Sequence, residues 1–315
     1  MITVNAAAAV SWYNGYMSEQ ILITKTNGEK EPFDEEKLVA SLRRSRASAA
    51  AIQAVLDHIH KEIREGMTTT YIYQHALELL HKVQKSAAIS YSLRRAIADL
   101  GPSGFPFEKF VAEIFKQQGY TTLTDQVVAG KCVEHEVDVV AWKPDGDLAM
   151  VEAKFHNQPG LKCDLKVALY VKARFDDLAQ ATFTYDNQAY HLKTGWLVTN
   201  TKFTISAIKY AACQTMKIVG WSYPHKGNLQ DLIESAHLHP LTCLRLLSEH
   251  DKKALLGQGI VLCRDLEKDP SLLSKLGLAE LNIDAILSEI SHIYADDMPK
   301  NKMKGAPTPV PTETA

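Results

Sequence analysis

Two runs of period-2 alternation, Glu136-Val137-Asp138-Val139-Val140-Ala141-Trp142 and Leu148-Ala149-Met150-Val151-Glu152-Ala153-Lys154-Phe155, flank the turn signal Pro144-Asp145-Gly146. The pattern predicts a β-hairpin with residues 143–147 as its loop. Pairing Trp142 with Leu148 places Asp138 opposite Glu152 and Glu136 opposite Lys154, and opposed residues on one sheet face lie about 5 Å apart. The reverse face would carry Val137, Val139, Ala141, Ala149, Val151, Ala153 and Phe155, all apolar, as expected of a ribbon lying on a core. Two carboxylates and an ammonium at one end of an apolar hairpin are costly to desolvate unless a ligand binds there.

Asp138 together with Glu152-Ala153-Lys154 resembles the PD-(D/E)xK nuclease signature, an acidic residue on one strand followed by Glu-x-Lys on the next. The resemblance implies that Asp138 and Glu152, with the carbonyl of Ala153, ligate a divalent cation, Mg2+ or Mn2+. It also implies that Lys154 steadies the attacking water and the charge developing on phosphorus. These residue types suit the chemistry, because Mg2+ takes hard oxygen ligands while keeping several waters, and a divalent cation acidifies the water it binds. A surface ion pair across a hairpin would use the same three residue types, so the flanking sequence matters.

Gly104-Phe105-Pro106-Phe107-Glu108-Lys109-Phe110-Val111-Ala112 opens a segment with Phe107, Phe110, Val111, Ile114 and Phe115 at helical spacing, ending near Gly119-Tyr120. A helix with an early glutamate, then Asp138, then Glu-x-Lys resembles the Mrr-type branch of the restriction endonuclease-like families. Lys154-Phe155-His156-Asn157, Leu169 to Leu178 and Trp196 to Phe203 extend the resemblance over residues 103–240. It implies an α/β core with a central mixed sheet. Glu108 matches the helix glutamate that some members place near the metal. The reading that comes first for Glu108 is a solvated first-turn residue favoured by the helix dipole.

Residues 154–226 carry ten Lys/Arg against four Asp/Glu, an excess of six positive charges in a chain whose net charge is −2. Such an excess suits a phosphate backbone. Tyr170, Lys172 and Arg174 on a predicted helix, with Asn200 and Lys202 at the end of a predicted strand, are the candidate contacts to double-stranded DNA. For each taken singly, a solvated face is the alternative.

The N-terminal third reads as a separate, mainly helical unit opened by a β-hairpin. Ile21-Leu22-Ile23-Thr24-Lys25 is strand-like, Asn27-Gly28 is a hairpin turn signal, and Asp34 can cap a helix whose first turn holds Glu35 and Glu36. Further helices are expected from Ile52 to Arg64, from a cap at Thr69 or Thr70 to about Gln84, and from Ala87 to Leu100. Ile23 to Leu38 is similar to the opening of the ATP-cone domain, an allosteric nucleotide sensor, and the resemblance covers residues 20–101. It implies that Lys25 and Lys37 meet the phosphates, Glu31 the nucleoside side, and Thr69 a further contact, with ATP or dATP as an effector. Thr26 stands where that family commonly has a second basic residue. No phosphate loop of the GxxxxGK[S/T] kind is present, so a nucleotide-driven motor has no support.

Residues 241–295 read as short helices, Leu241 to Leu247, Lys252 to Leu256, Ser271 to Leu276 and Leu281 to Ile290, interrupted by Gly257, Gly259 and Gly277. Leu272 to Leu278 looks faintly like a helix-hairpin-helix element, with a packing or dimerisation cap as the alternative. Residues 1–19 are expected to be flexible, with Met17 a candidate start. Residues 296–315, rich in Pro, Lys and Thr, are expected to be disordered. No apolar run approaches the roughly 20 residues of a membrane span. The first 24 residues lack the basic flank of a signal peptide, and the five scattered cysteines form no CxxC. Both observations fit a cytoplasmic protein with reduced thiols. His135 and His156 read as local hydrogen-bonders.

The expected whole is a nucleotide-sensing, Mg2+-dependent DNA endonuclease of a restriction or DNA-defence kind, acting as a homodimer or higher oligomer. A DNA-binding regulator that keeps the nuclease fold without turnover is the second reading.

Overall fold

The structure, a computed structural model, describes residues 21–158 and 160–295. The expectations for residues 1–19, Met17 and residues 296–315 lie outside the described residues.

In the N-terminal unit, β1 (Leu22–Thr24) pairs antiparallel with β2 (Lys30–Pro32), Ile23 facing Glu31. The loop between them turns at Gly28, whose φ of +85° is open to glycine at no steric cost. α1 (Glu35–Arg44) starts at Asp34, whose carboxylate accepts the Lys37 N–H at 3.1 Å. α2 (Ala49–Glu62), α3 (Thr69–Val83) and α4 (Lys85–Ala98) follow. The cap of α3 is Thr68, not Thr69 or Thr70, because the Thr68 hydroxyl is the one that reaches the Tyr71 N–H at 3.1 Å. Leu38, Leu42, Val55, Ile59, Ile72, Ala76 and Leu80 make the core of this unit. α4 serves two cores: Ala87 and Ala88 belong to this one, while Leu93 and Ile97, with Leu100 just past its end, belong to the next.

α5 (Phe105–Gln117) leads into an antiparallel meander of β3 (Thr121–Ala129), β4 (Glu134–Trp142) and β5 (Leu148–Lys154). A two-residue β6 (Lys162–Cys163), α6 (Leu165–Leu178) and the hairpin β7 (Thr182–Tyr185) and β8 (Gln188–His191) come next. β9 (Thr194–Thr199) then pairs parallel to β5, β10 (Lys202–Phe203) pairs parallel to β6, and α7 (Ile205–Cys213) leads to β11 (Lys217–Val219), parallel to β9. The main sheet is mixed, in the order β11-β9-β5-β4-β3. Its two parallel connections run through α6 and α7, as crossovers between parallel strands require.

Helices cover both faces of this sheet. Val139, Ala141, Ala149, Val151 and Val198 pack with Phe107, Phe110, Val111 and Phe115 of α5. Val140, Trp142, Leu148, Met150 and Leu197 pack with Val171, Phe175 and Leu178 of α6 and Ala207 of α7. Gly195 on β9 lies directly beneath Phe175, so a Cβ there would stand 2.0 Å from the ring. Overpacking of that kind displaces helices. Gly195→Ala is expected to lower stability by about 1–3 kcal/mol in a denaturant titration.

The remaining elements are α8 (Leu229–Ser235), a 3-10 turn (Leu241–Cys243), α9 (Glu249–Gly257), α10 (Cys263–Lys268), α11 (Ser271–Ser274) and α12 (Glu280–Ala295). Leu241, Leu255, Leu266, Leu273, Ile286 and Ile290 join the α5-side core. The Leu272–Leu278 stretch packs on that core, with Leu273 buried and Leu272, Leu276 and Leu278 against it. Among the described residues no helix is long and apolar enough to cross a membrane.

Candidate active site

The hairpin forms in the expected register, Trp142 facing Leu148 and Val139 facing Val151, but the ladder stops there. Beyond Val139 the Asp138 side chain replaces the ladder: its Oδ2 accepts the Ala153 N–H at 2.7 Å. Glu136 and Lys154 are therefore not paired. Lys154 lies instead beside Thr199 on β9. The alternation of β4 slips at the same place, since Val137 packs on the α6 side while Val139 and Ala141 pack on the α5 side. This corrects the single apolar face expected for Val137, Val139 and Ala141. A kink in the neighbouring strand marks the slip, where Asp125 takes φ +54° between Thr124, paired with Val139, and Gln126, paired with Val137. Asp is one of the few residues that tolerates this left-handed backbone.

The slip gathers carboxyl groups. Burial, then repulsion from Glu152, pushes Asp138 up to about 6 despite the Ala153 hydrogen bond and the nearby Arg174 guanidinium. Glu108, in the first turn of α5, rises further, to about 8, through burial, the Asp138 charge and a hydrogen bond shared with the Asp125 carboxyl. Glu108 thus feels the charges of Asp125 and Asp138, while its Oε1 also lies over Gly104 at the start of its own helix. Asp125 had no signal in the sequence that distinguished it from any polar residue in a strand.

Glu152 forms an ion pair with Arg174 of α6, and both side chains are nearly closed off from solvent. Arg174 thus points into the site, with its guanidinium 5.4 Å from the Tyr170 ring centroid. Burial at the hairpin dictates this orientation, and it differs from the outward phosphate contact expected. The C-terminal end of α6 is pinned by Asp177, which accepts the N–H of Cys132 at 2.8 Å and contacts His135 Nε2 at 2.8 Å. His135 is accordingly the local hydrogen-bonder expected. Asp177 is held well below the usual carboxylate range by these donors, His135 first.

Lys154 is exposed and has no carboxylate partner among the described residues. Next to it, burial followed by the Lys154 charge keeps the His156 imidazole below its ordinary value. The His156 backbone is locked to Asn200, whose Oδ1 accepts its N–H at 2.9 Å and whose Nδ2 donates to its carbonyl at 2.8 Å. Asn200 is 4% exposed, so it braces the strand end and presents nothing to a ligand. Tyr170 and Lys202 are exposed, and Lys172 pairs with Asp176.

The residues present suit a divalent cation. Two crowded, partly desolvated carboxylates lose their mutual repulsion when a cation sits between them. Among the described residues no three side chains of His, Cys, Asp or Glu form a ready-made cage. A pair of carboxylates completed by waters is the mode Mg2+ favours.

In the N-terminal unit three of the four expected residues converge: Glu31 lies 3.0 Å from the Lys25 ammonium and 3.5 Å from that of Lys37. The hydrogen bond from Lys25 to Glu31 raises the lysine and lowers the glutamate. The Thr24 N–H donates to the Met67 carbonyl at 2.9 Å and Thr24 bridges Thr68, which brings Thr69 to the same end of the hairpin.

Residues 101–222 match the restriction endonuclease family Mrr_cat, and residues 239–294 match the AF1548-like C-terminal family. An uncharacterized protein of Archaeoglobus fulgidus is 38% identical over 187 residues, which is 58% of this chain and 99% of that protein. The crystal structure of AF1548, a protein of unknown function, matches with a TM-score of 0.50 at 36% identity, covering 62% of this chain and 100% of that one. A repair endonuclease from Pyrococcus abyssi is far more distant, with a TM-score of 0.25 at 19% identity over 35% of this chain and 41% of its own. With a restriction endonuclease-like domain followed by an AF1548-like C-terminal region, the chain belongs to the family of the Archaeoglobus fulgidus protein.

Proposed function

We propose that the protein is a Mg2+-dependent DNA endonuclease that hydrolyses phosphodiester bonds at the Asp138–Glu152–Lys154 site, with a role in restriction or DNA defence. The observation that carries this reading is the repulsion between Asp138 and Glu152 at one strand end, two residues from the exposed amine of Lys154, inside a restriction endonuclease-like domain. Carboxyl groups pushed up to about 6 and about 8 are a stability cost that a binding site explains.

Mg2+ or Mn2+, when bound, supplies Lewis acidity at the phosphate and acidifies water. Asp138 and Glu152 would hold the cation, and the Ala153 N–H fixes the rotamer of Asp138. Lys154 orients the attacking water in line with the leaving oxygen and stabilises the charge that develops on the phosphoryl oxygens. Glu108 carries a proton near neutrality and moderates the negative field at Asp138. Lys172, Lys202 and Tyr170 contact the duplex, while Asn200 acts through the strand end it braces. Arg174 neutralises Glu152, and a cation held there would compete with it for that carboxylate.

The N-terminal unit takes ATP or dATP as an effector at Lys25, Glu31, Lys37 and Thr69, and a homodimer supplies the second site for cutting both strands. A nucleotide acts there only if it binds one arrangement of the protein better than another. Loss of one charge-assisted phosphate contact costs about 1.5–3 kcal/mol. Lys25→Ala is therefore expected to weaken nucleotide binding at least about tenfold by calorimetric titration.

Because an ion pair on Glu152 is also what an inactive fold would keep, the regulator reading stays in play. Incubation of supercoiled plasmid, methylated and unmethylated, with Mg2+ or EDTA, each with and without ATP or dATP, separates the two. Nicking that requires Mg2+ supports the endonuclease. Binding without nicking in every condition selects the regulator.

A further inference from the structure

The junction between the N-terminal unit and the nuclease domain gathers four cations from four distant segments. Lys162 and Lys202 are direct partners across the parallel pair β6–β10. Lys202 follows Thr201, whose carbonyl accepts the Trp221 N–H at 2.8 Å, and α8 begins beyond that contact with the Leu229 N–H on the Gly220 carbonyl at 3.0 Å. On the other side of α8, Gln230 Nε2 donates to the Arg44 carbonyl at 3.4 Å. Buried Glu234 ties the same helix to Arg46 at 2.9 Å and to Ser90 on α4. α8 therefore packs between the segment that follows Lys202 and the parts of α1 and α4 that carry Arg44 and Arg94. Burial, then Arg94, Arg44 and Lys162 in that order, pulls Lys202 below its ordinary value. All four residues keep exposed surface, Arg94 and Lys202 while partly desolvated, and none has a carboxylate partner among the described residues.

A favourable helix dipole accounts for Arg44 in the last turn of α1, but not for three further cations crowded around it. Like charges left facing one another at a domain junction are destabilising until an anion arrives. The patch is also placed to meet a strand leaving the candidate active site: Lys202 lies three residues past Thr199, the β9 partner of Lys154.

We propose that Arg44, Arg94, Lys162 and Lys202 form one grip on the phosphate backbone of duplex DNA, so that the N-terminal unit holds the DNA directly. The inference rests on the endonuclease reading given above. Arg44 and Arg94 lie outside the restriction endonuclease match, so the grip is built on the nuclease domain by the unit preceding it. α1 reaches from Lys37 to Arg44, and so spans the distance between the candidate nucleotide cluster and the DNA.

The test is fluorescence anisotropy of a labelled duplex of roughly 20 base pairs with the full chain in EDTA, repeated across salt concentrations. Each phosphate contact contributes about 0.9 to the slope of log Kd against log salt. Arg44→Ala/Arg94→Ala is expected to weaken binding at least about tenfold at 0.1 M salt and reduce the slope by about 2. Arg43→Ala, on the same helix turn, should change affinity less than about twofold as a surface substitution. The Arg44→Lys/Arg94→Lys variant keeps the charges and should restore the slope. A double alanine variant matching wild type in slope and affinity overturns the grip while leaving the endonuclease reading intact. A double alanine variant that loses ATP binding but keeps its DNA slope also overturns it. Wild-type protein that binds no duplex overturns both.

Discussion

Replacing Lys154 by alanine is expected to lower plasmid nicking by roughly 10²- to 10⁴-fold, the range for losing one positioned proton-handling or charge-stabilising group. DNA binding should change little, because one exposed cation contributes one phosphate contact at most. The separation of the two readouts is what matters. Lys154 stands on the last residue of β5 with no carboxylate to satisfy it, so its truncation leaves no buried group orphaned and the fold intact. Equal losses of cutting and binding would mark Lys154 as an ordinary backbone contact. No loss of cutting would remove it from the chemistry.

The second large effect concerns Glu108 and Asp138, and its sign depends on the cation. Both carboxyl groups are pushed up in the folded protein, Glu108 from 4.5 to about 8 and Asp138 from 3.8 to about 6. Well below pH 4 each is protonated whether the chain is folded or not, and the two states are balanced. As pH rises through each window the unfolded chain gives up the proton easily while the folded protein resists, so stability is lost. In EDTA, Glu108→Gln should therefore match wild type near pH 4 and exceed it above pH 8, by on the order of 1–3 kcal/mol after allowance for solvent. Asp138→Asn should show a smaller gain that is complete by about pH 7. Added Mg2+ reverses the order for Asp138→Asn. Wild type gains stability by binding the ion, and the variant, having lost a ligand, gains little and cuts at least about 10³-fold more slowly. Thermal melts at pH 4, 7 and 8.5, with and without Mg2+, read out both effects. A wild type that is most stable at pH 8.5 in EDTA would contradict the assignment of these charges.

The hairpin of β4 and β5 was legible because two alternating runs meet at Pro144-Asp145-Gly146, and the turn sets the register of everything near it. Four residues from the turn that logic fails, because Asp138 turns back to bond the Ala153 amide. Side-chain capture of a backbone donor leaves no periodic trace. Asp125 was invisible for a related reason: its left-handed φ of +54° is a tertiary choice, made where β3 bends around Asp138. The helix carrying Tyr170 and Arg174 could be foreseen, but not that Arg174 would turn inward, since only the packing of α6 on the sheet decides which side faces Glu152. α10, six residues long, is too short to show a period. The Arg44, Arg94, Lys162 and Lys202 cluster draws on segments up to 158 residues apart, and a local count of charge registers only the last two.

The account turns on whether Asp138 and Glu152 share one divalent cation. Anomalous diffraction from crystals of the protein with Mn2+ tests this directly. The expected result is a single peak bridging the Asp138 and Glu152 carboxylates, with the Arg174 guanidinium moved off Glu152. A map in which Mn2+ binds elsewhere, or not at all while Arg174 remains on Glu152, would contradict it.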